Sequence, residues 1–197
     1  MAGGEAARRA LVVETLLATA RLHASLAEGP AVDAIEQAAD ALVSVLGGGG
    51  RVLAFGNGGS AADAQHFVAE LVGRFERDRR GWPAMALTTD PSVVTAVAND
   101  FGFESVFARQ VTALGRAGDL ALGITTSGES PNVVRGLEAA KAAGLRTIAL
   151  TGKDGGAAGR VAEVHVHVPS PVTARVQEAH MTVLHLLCAA VDRDLEG

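Results

Sequence analysis

Two short segments carry residues suited to binding an anion. The first is residues 56–60, with the sequence GNGGS, whose glycines let a ligand approach the backbone where a following helix presents its N–H groups. The second is residues 125–131, with the sequence TTSGESP, in which four hydroxyls precede a helix that starts at Pro131. Hydroxyls and free amides can hold a phosphate group without a lysine. The alternative is that these residues only turn the chain and cap the helix, with Ser130 as the expected cap.

An imidazole and a carboxylate follow the first segment at helical spacing. His66 and Glu70 are four residues apart, so they share one face of the predicted helix. Such a pair can bind a metal ion or act as general acid and base. Either residue alone would more often be structural, but their position below an anion-binding loop favours a functional site.

The last predicted helix carries Gln177, Glu178, His180 and His185. Gln177 and His185 lie close to the same face but about 12 Å apart along the axis. Both reach one ion only with extended, converging side chains, or if two subunits share the site. For Glu178 and His180 a buried polar contact explains the residues as well as a functional role does. The other three histidines have a structural interpretation: His165 and His167 alternate with valines, as on the solvent face of an edge strand, and His23 lies on the first helix.

A nucleotide site is a further possibility. Gly56, Gly58 and Ala61 satisfy the loose dinucleotide-binding fingerprint, whose acidic ribose partner is expected about 20 residues further on. The nearest candidate, Asp90, lies 34 residues after Gly56. No Gly-Lys-Ser/Thr follows the loop, which argues against ATP or GTP hydrolysis of the Walker type.

The pattern of apolar residues predicts the elements that position these groups. Predicted helices cover residues 6–27, 32–46, 60–75, 92–98, 105–114, 131–143 and 172–193. Predicted strands cover residues 51–55, 84–88, 120–124, 146–150 and 163–168. Strands that alternate with helices form a parallel sheet covered on both faces. We expect a doubly wound five-stranded α/β fold as one domain over residues 1–197, with a helical hairpin at 1–47 and the sheet domain with its final helix at 51–197.

Composition limits the class of protein. The 197 residues are 48% hydrophobic and 20% charged, which argues against a disordered chain. The formal net charge of −5 disfavours a general nucleic-acid binder, which needs a basic surface. One cysteine, Cys188, excludes an internal disulfide and fits a reducing compartment. Since no run of eighteen uncharged apolar residues occurs, we expect no membrane span and a cytoplasmic location.

Five segments together resemble the phosphoheptose isomerase family, which has the sugar-isomerase (SIS) fold. They are FGNGGSAADAQHFVAE at residues 55–70, ANDFG at 98–102, GITTSGES at 123–130, LTGKDGG at 150–156 and VQEAHMTVLH at 176–185. The resemblance covers nearly the whole chain. It implies the conversion of sedoheptulose 7-phosphate into D-glycero-D-manno-heptose 7-phosphate. It also implies a homotetramer with active sites at subunit contacts.

The resemblance also assigns roles to individual residues. Those that would contact the substrate are Asn57, Gly58, Gly59, Glu70, Asn99, Asp100 and Gln177, with Thr125, Thr126, Ser127 and Ser130 at the phosphate. Those that would bind one zinc ion per subunit are His66, Glu70, Gln177 and His185. Glu70 and His185 would be the base and the acid. Since a carboxylate on zinc is a weaker base, Glu70 either leaves the metal during turnover or the metal chiefly organises the site.

Two departures and two rival functions accompany this resemblance. Thr125 stands where the family usually has Ser, which is a conservative change. Glu129 stands where the family usually has Asn, and a carboxylate beside a phosphate weakens anion binding, so we predict that Glu129 points away from it. A non-enzymatic SIS-fold protein that binds the bacterial replication initiator has a similar segment at residues 61–66, but it lacks the histidine that aligns with His185. An isomerase of another phosphosugar would use Glu70 and His185 equally well.

Overall fold

A computed structural model describes the backbone of residues 2–195 and the side chains of residues 4–195. Its centre is a five-stranded, wholly parallel sheet in the order β2-β1-β3-β4-β5. The strands are β1 (Val52–Gly56), β2 (Ala84–Ala86), β3 (Leu120–Thr125), β4 (Arg146–Thr151) and β5 (Val164–His167). Apart from the edge strands, they are buried along almost their whole length. This confirms the predicted doubly wound α/β fold.

Eight α-helices surround the sheet in the described part of the chain. They are α1 (Ala2–Ala27), α2 (Ala31–Gly47), α3 (Gly59–Val72), α4 (Pro91–Phe101), α5 (Val106–Leu114), α6 (Pro131–Ala142), α7 (Gly156–Val161) and α8 (Thr173–Asp194). A single 3-10 turn, Phe103–Ser105, joins α4 to α5. The amphipathic pattern of residues 32–46 predicts α2, whose buried face includes Ala38, Leu42 and Leu46.

Two apolar clusters lie on opposite faces of the sheet. One cluster is formed under α2, α3 and α8 and includes Leu42, Phe67 and Leu184. The other lies under α5 and α6, where the rings of Phe55 and Phe107 stack with their centroids 5.1 Å apart. Burying a side chain of this size contributes about 1.5–3 kcal/mol. Together the clusters hold both loops at the carboxyl edge of the sheet on a rigid base.

Several elements differ from the sequence prediction; α4, for example, covers Pro91–Phe101 rather than residues 92–98. Strand β2 ends at Ala86 rather than at residue 88, because the chain turns at Leu87. Helix α3 ends at Val72 rather than at residue 75, since Gly73 leaves helical geometry. The prediction also missed α7, a six-residue helix.

Helix α1 lies on the outside of the fold. Leu11 and Leu16 are 64% and 65% exposed, and α1 docks on α8 through polar contacts such as that of Thr19 with Glu178. By length and composition alone, the stretch Gly4–Ala27, with a mean hydropathy of 1.3, passes as a membrane span. The expectation that nothing spans a membrane therefore stays a prediction.

Candidate active site

The two segments predicted to bind an anion follow β1 and β3, between which the order of the strands in the sheet reverses. Strands β1 and β3 are neighbours, but α3 packs on one face of the sheet and α6 on the other. Loops that leave in opposite directions open a crevice at the carboxyl ends of the strands, which is where ligands bind in folds of this type. The glycine segment follows β1 and the hydroxyl segment follows β3, so both border this crevice.

The glycine loop is shaped for close approach. A Cβ on Gly59 would overlap the side-chain amide of Gln177, so this position accepts no larger residue without displacing Gln177. Beside the loop is a cavity of about 170 Å³. It is lined by Asn57 and Gly58 on one side and by Val94 and Phe103 on the other. The glycine loop therefore borders an open cavity, and its binding of a ligand stays a prediction.

Three hydroxyls converge in the second loop. Thr125 Oγ1 lies 2.9 Å from Ser130 Oγ and 3.3 Å from Ser127 Oγ. Ser130 occupies the N-cap position of α6, but its hydroxyl makes no capping bond, contrary to our expectation. The hydroxyl instead joins the cluster at the N-terminus of a 12-residue helix, where the macrodipole favours an anion. Thr126 is half-buried in the same loop.

The hydroxyl loop is packed backbone to backbone against the segment that leads into α7. A Cβ on Gly128 would collide with the carbonyl oxygen of Gly155, and the N–H of Ala158 donates to the Gly128 carbonyl over 2.9 Å. Glu129 accepts from the N–H of Ala157 at 2.9 Å and lies 3.6 Å from Arg160. Its carboxylate is therefore held by α7, which agrees with the prediction that it points away from the hydroxyl cluster.

A second group of candidate residues forms where α3 crosses α8. His66 Nε2 lies 3.0 Å from His185 Nε2 and 3.4 Å from Glu70 Oε1. The ring of Phe75 lies against His185, with centroids 5.4 Å apart. In this contact one Nε2 atom donates and the other accepts. Three of the four predicted zinc ligands thus come together, although His66 and His185 are 119 residues apart in the chain.

The remaining predicted ligand, Gln177 on α8, lies beside the start of α3 and away from this cluster. Gln177 sits over Gly59, at the start of the helix, about 10 Å along the axis from His66. This matches the separation that the sequence indicates between Gln177 and His185. Gln177 therefore borders the glycine loop, while the imidazole–carboxylate cluster lies two turns further along.

The cluster contains the donor types that zinc prefers. Zinc binds His nitrogen and carboxylate oxygen at about 2.0–2.2 Å, so tetrahedral ligand atoms stand about 3.3–3.5 Å apart. The contact of His66 with Glu70 has this spacing, whereas the two imidazoles are closer and would have to separate by a few tenths of an ångström. Within residues 4–195, no group of three or more His, Cys, Asp or Glu side chains is already arranged to hold a metal ion. His66, Glu70 and His185 thus offer donor types that zinc accepts, and at least the two imidazoles would have to move apart for an ion to bind.

Asn99 and Asp100 stand apart from both groups. They lie near the end of α4, are exposed, and bond to each other, with Asn99 Nδ2 donating to Asp100 Oδ1 over 2.8 Å. The cavity beside the glycine loop is lined from this side by Val94 and Phe103 instead. Their predicted contact with the substrate stays a prediction.

Sequence reasoning missed three residues that border the site. Asn132, at the second position of α6, exchanges side-chain hydrogen bonds with Asn57. Arg79 donates to the backbone carbonyl of Glu70 over 2.9 Å. Phe75 packs on His185. A polar residue directly after Pro131, on an otherwise apolar helix face, was the one available signal, for Asn132.

Glu178 on α8 and three histidines outside the predicted site have packing partners in the structure. Glu178 accepts from Thr19 on α1 and forms an ion pair with Arg175. His23 bonds to Thr182 over 2.9 Å and so also joins α1 to α8. His165 and His167 are half-buried rather than solvent-facing, and their rings stack against each other. These contacts support the structural interpretation for all four residues.

His180 is fully buried and makes stability depend on pH. Its Nε2 donates to the Thr151 carbonyl over 3.1 Å, and Nδ1 has no partner among the described residues. Burial lowers the pKa of His180 to about 4, against the opposing effect of the Thr151 bond. Between this value and the ordinary pKa of about 6.5, the unfolded chain binds a proton that the folded chain does not. Folding therefore loses stability as the pH falls through this range.

We expect His180→Gln, which keeps a donor for Thr151, to remove this dependence. From pH 7 to pH 5 the wild type should lose about 2 kcal/mol more free energy of unfolding than the variant. Burial raises the pKa of Asp63 to about 6, although the nearby charge of His66 lowers it. Protonation of Asp63 makes the folded state more stable as the pH falls, and this effect is the same in the wild type and the variant. Urea unfolding at the two pH values measures the difference, and equal losses would contradict the prediction.

Comparison with known proteins identifies the family. The model of the SIS domain family matches residues 17–152. The phosphoheptose isomerase of Geobacter sp. (strain M21) is 50% identical over 187 residues, which cover 93% of this chain and 97% of that protein. The one from Bordetella avium (strain 197N) is 55% identical over 163 residues, covering 81% and 83%.

The same relationship holds in three dimensions. The structure of a phosphoheptose isomerase from Neisseria gonorrhoeae superposes with a TM-score of 0.88 at 44% identity, covering 93% of this chain and 98% of that one. The resemblance that the sequence motifs indicate is thereby confirmed. This chain belongs to the phosphoheptose isomerase family of SIS-domain proteins and is a sugar-phosphate isomerase.

Proposed function

We propose that the chain converts sedoheptulose 7-phosphate into D-glycero-D-manno-heptose 7-phosphate. The observation that carries the proposal is that Glu70, His66 and His185 meet where α3 crosses α8, in a fold that also gathers three hydroxyls at the start of α6. An acid–base cluster and an anion site are the two parts that isomerisation of a sugar phosphate requires. The relatives that cover almost the whole chain carry the name phosphoheptose isomerase.

In this proposal the two loops hold the substrate. Thr125, Thr126, Ser127 and Ser130 bind the phosphate through hydroxyls and the N-terminus of α6. Backbone groups of Gly58 and Gly59 approach the sugar, together with Asn57 and Gln177. Asn99 and Asp100 belong to the substrate set by resemblance alone.

Glu70 is the base of the proposed reaction. It removes a proton from C1 of the ketose, and the electron pair moves to form the enediolate between C1 and C2. Return of the proton to C2 gives the aldose, while His185 moves protons between O1 and O2. Positioned groups of this kind contribute about 10²–10⁴-fold each. A zinc ion held by His66, Glu70 and His185 would polarise both oxygens when bound. Gln177 belongs to the zinc ligands by resemblance alone, because it lies over Gly59, two turns of α3 away from this cluster.

The assembly and location are proposed on separate grounds. The exposed apolar residues of α1, such as Leu11 and Leu16, leave a helix face that a second copy would cover in a homotetramer. Active sites at subunit contacts would then bring further residues to the crevice. Cys188 is a free, buried thiol, which suits the reducing cytoplasm.

Proton NMR in D₂O with sedoheptulose 7-phosphate tests this function. We expect an aldose anomeric signal to appear, with deuterium from the solvent at C2, and we expect added zinc to increase the rate after dialysis against a chelator. Conversion of a different ketose phosphate, but not of this one, would replace the substrate and keep the reaction class. Absence of conversion with every sugar phosphate, together with capture of the bacterial replication initiator, would favour the non-enzymatic alternative.

A further inference from the structure

The side-chain amides of Asn57 and Asn132 form a reciprocal pair. Asn57 Nδ2 donates to Asn132 Oδ1 and Asn132 Nδ2 donates to Asn57 Oδ1, both over 2.8 Å. Asn132 is 2% exposed, whereas Asn57 is half-buried at the edge of the cavity. One member of the pair is therefore hidden and the other faces the substrate space.

The orientation of the pair is set by the backbone of α6. The N–H of Val133 donates to Asn132 Oδ1 over 3.0 Å, and this requires an oxygen at that position. Asn132 Nδ2 must then face Asn57, so the oxygen of Asn57 is the atom that accepts from it. Asn57 has one N–H and one oxygen lone pair left, and neither can exchange places with the other by an amide flip.

The pair also spans the crevice. Asn57 is the first residue after β1, and Asn132 is the second residue of α6, which follows the hydroxyl loop after β3. The two amides thus join the glycine loop to the start of the phosphate-binding helix. A sugar bound at the first loop and its phosphate bound at the second would be held at a distance that this pair fixes.

We propose that Asn132 is a positioning residue that acts on the reaction through Asn57. It would not touch the substrate; it would hold the free N–H and lone pair of Asn57 in the direction that the sugar hydroxyls require. The inference rests on the proposed function, in which Asn57 contacts the sugar.

A double-mutant cycle separates this role from a general loss of stability. We expect Asn132→Leu to lower kcat/KM by about tenfold in the wild type, and by less than twofold in Asn57→Ala. Thr147→Val is the matched control. It removes a buried hydroxyl that accepts from the N–H of Glu163 at the amino-terminal ends of the strands, so it should leave kcat/KM unchanged. Equal effects of Asn132→Leu in both backgrounds would overturn the proposal.

A second measurement does not depend on activity. The chain has three asparagines, so labelling with ¹⁵N-asparagine gives three side-chain amide signals, from Asn57, Asn99 and Asn132. In Asn132→Leu the Asn57 amide protons should shift and exchange faster with solvent, while those of Asn99 stay in place. An unchanged Asn57 signal would overturn the positioning role. If the NMR shift is found but the wild type isomerises no sugar phosphate, the proposed function fails and the amide pairing stands.

Discussion

Glu70→Gln is expected to lower kcat by about 10²–10⁴-fold with little effect on folding. The amide has nearly the shape of the carboxylate but no useful affinity for a proton, so it cannot take one from C1. The Glu70 side chain is about a quarter exposed and its one ion-pair contact is with His66, whose Nε2 also bonds to His185. The neighbours of Glu70 therefore remain supported in the variant.

Incorporation of deuterium at C2, followed by NMR, measures this loss directly. Glu76→Gln is the matched control, because it makes the same chemical change six residues further on, at an exposed position. The control should keep wild-type turnover. Retention of more than a tenth of the activity by Glu70→Gln would remove Glu70 from the role of base.

The second large effect concerns the ion pair between Arg79 and Asp192. Arg79 Nε donates to Asp192 Oδ1 over 2.6 Å, and the two side chains are 1% and 5% exposed. Asp192 Oδ2 also accepts from the N–H groups of Glu76 and Arg77, each over 3.2 Å. Burial alone would raise the pKa of Asp192, but the bonds from Arg79 and these two N–H groups lower it below its ordinary value.

Asp192→Ala should therefore reduce the free energy of unfolding by about 3–5 kcal/mol, because it leaves a buried guanidinium unpaired. The depressed pKa means that the wild-type contribution is present at neutral pH and is lost as the pH falls below about 4. Urea denaturation at pH 7 measures the effect. The neighbouring Asp194→Ala, in an exposed pair with Arg193, should leave stability essentially unchanged.

A double variant makes this prediction sharper. Arg79→Met combined with Asp192→Leu removes both charges and fills the space with apolar atoms, so it should be less destabilised than Asp192→Ala. Arg79 also donates to the carbonyls of Glu70 and Leu71, both over 2.9 Å, so part of the loss should remain. A double variant less stable than Asp192→Ala would show that the carbonyl contacts outweigh the buried charge.

The sheet could be predicted because its strands are short apolar runs followed by glycine or hydroxyl turns. Helix α7 could not, because its six residues, GAAGRV, include two glycines and show no apolar periodicity. The helix exists because Gly128 and Glu129 hold its first turn. Tertiary contacts of this kind leave no local pattern in the sequence.

In the candidate site, too, local patterns could be predicted from the sequence and tertiary contacts could not. The spacing of His66 and Glu70 indicates a shared helix face, but their meeting with His185 depends on how α3 crosses α8. The hydroxyl loop could be found from composition, whereas the use of Ser130 to join the cluster instead of capping α6 depends on the position of Thr125. The partners Arg79 and Asp192 are 113 residues apart and neither lies in a recognisable motif.

The backbone contact between Gly128 and Gly155 has an evolutionary consequence. A Cβ on Gly128 would collide with the backbone of Gly155, and a Cβ on Gly156 would collide with the backbone of Gly128, so a side chain at either position requires one of the two loops to move. The cavity beside the glycine loop is lined by Val94 and Phe103, whose side chains can vary in size without this constraint. Changes in sugar preference among relatives are therefore expected on the α4 side of this cavity, with the contact between Gly128 and Gly155 inherited intact.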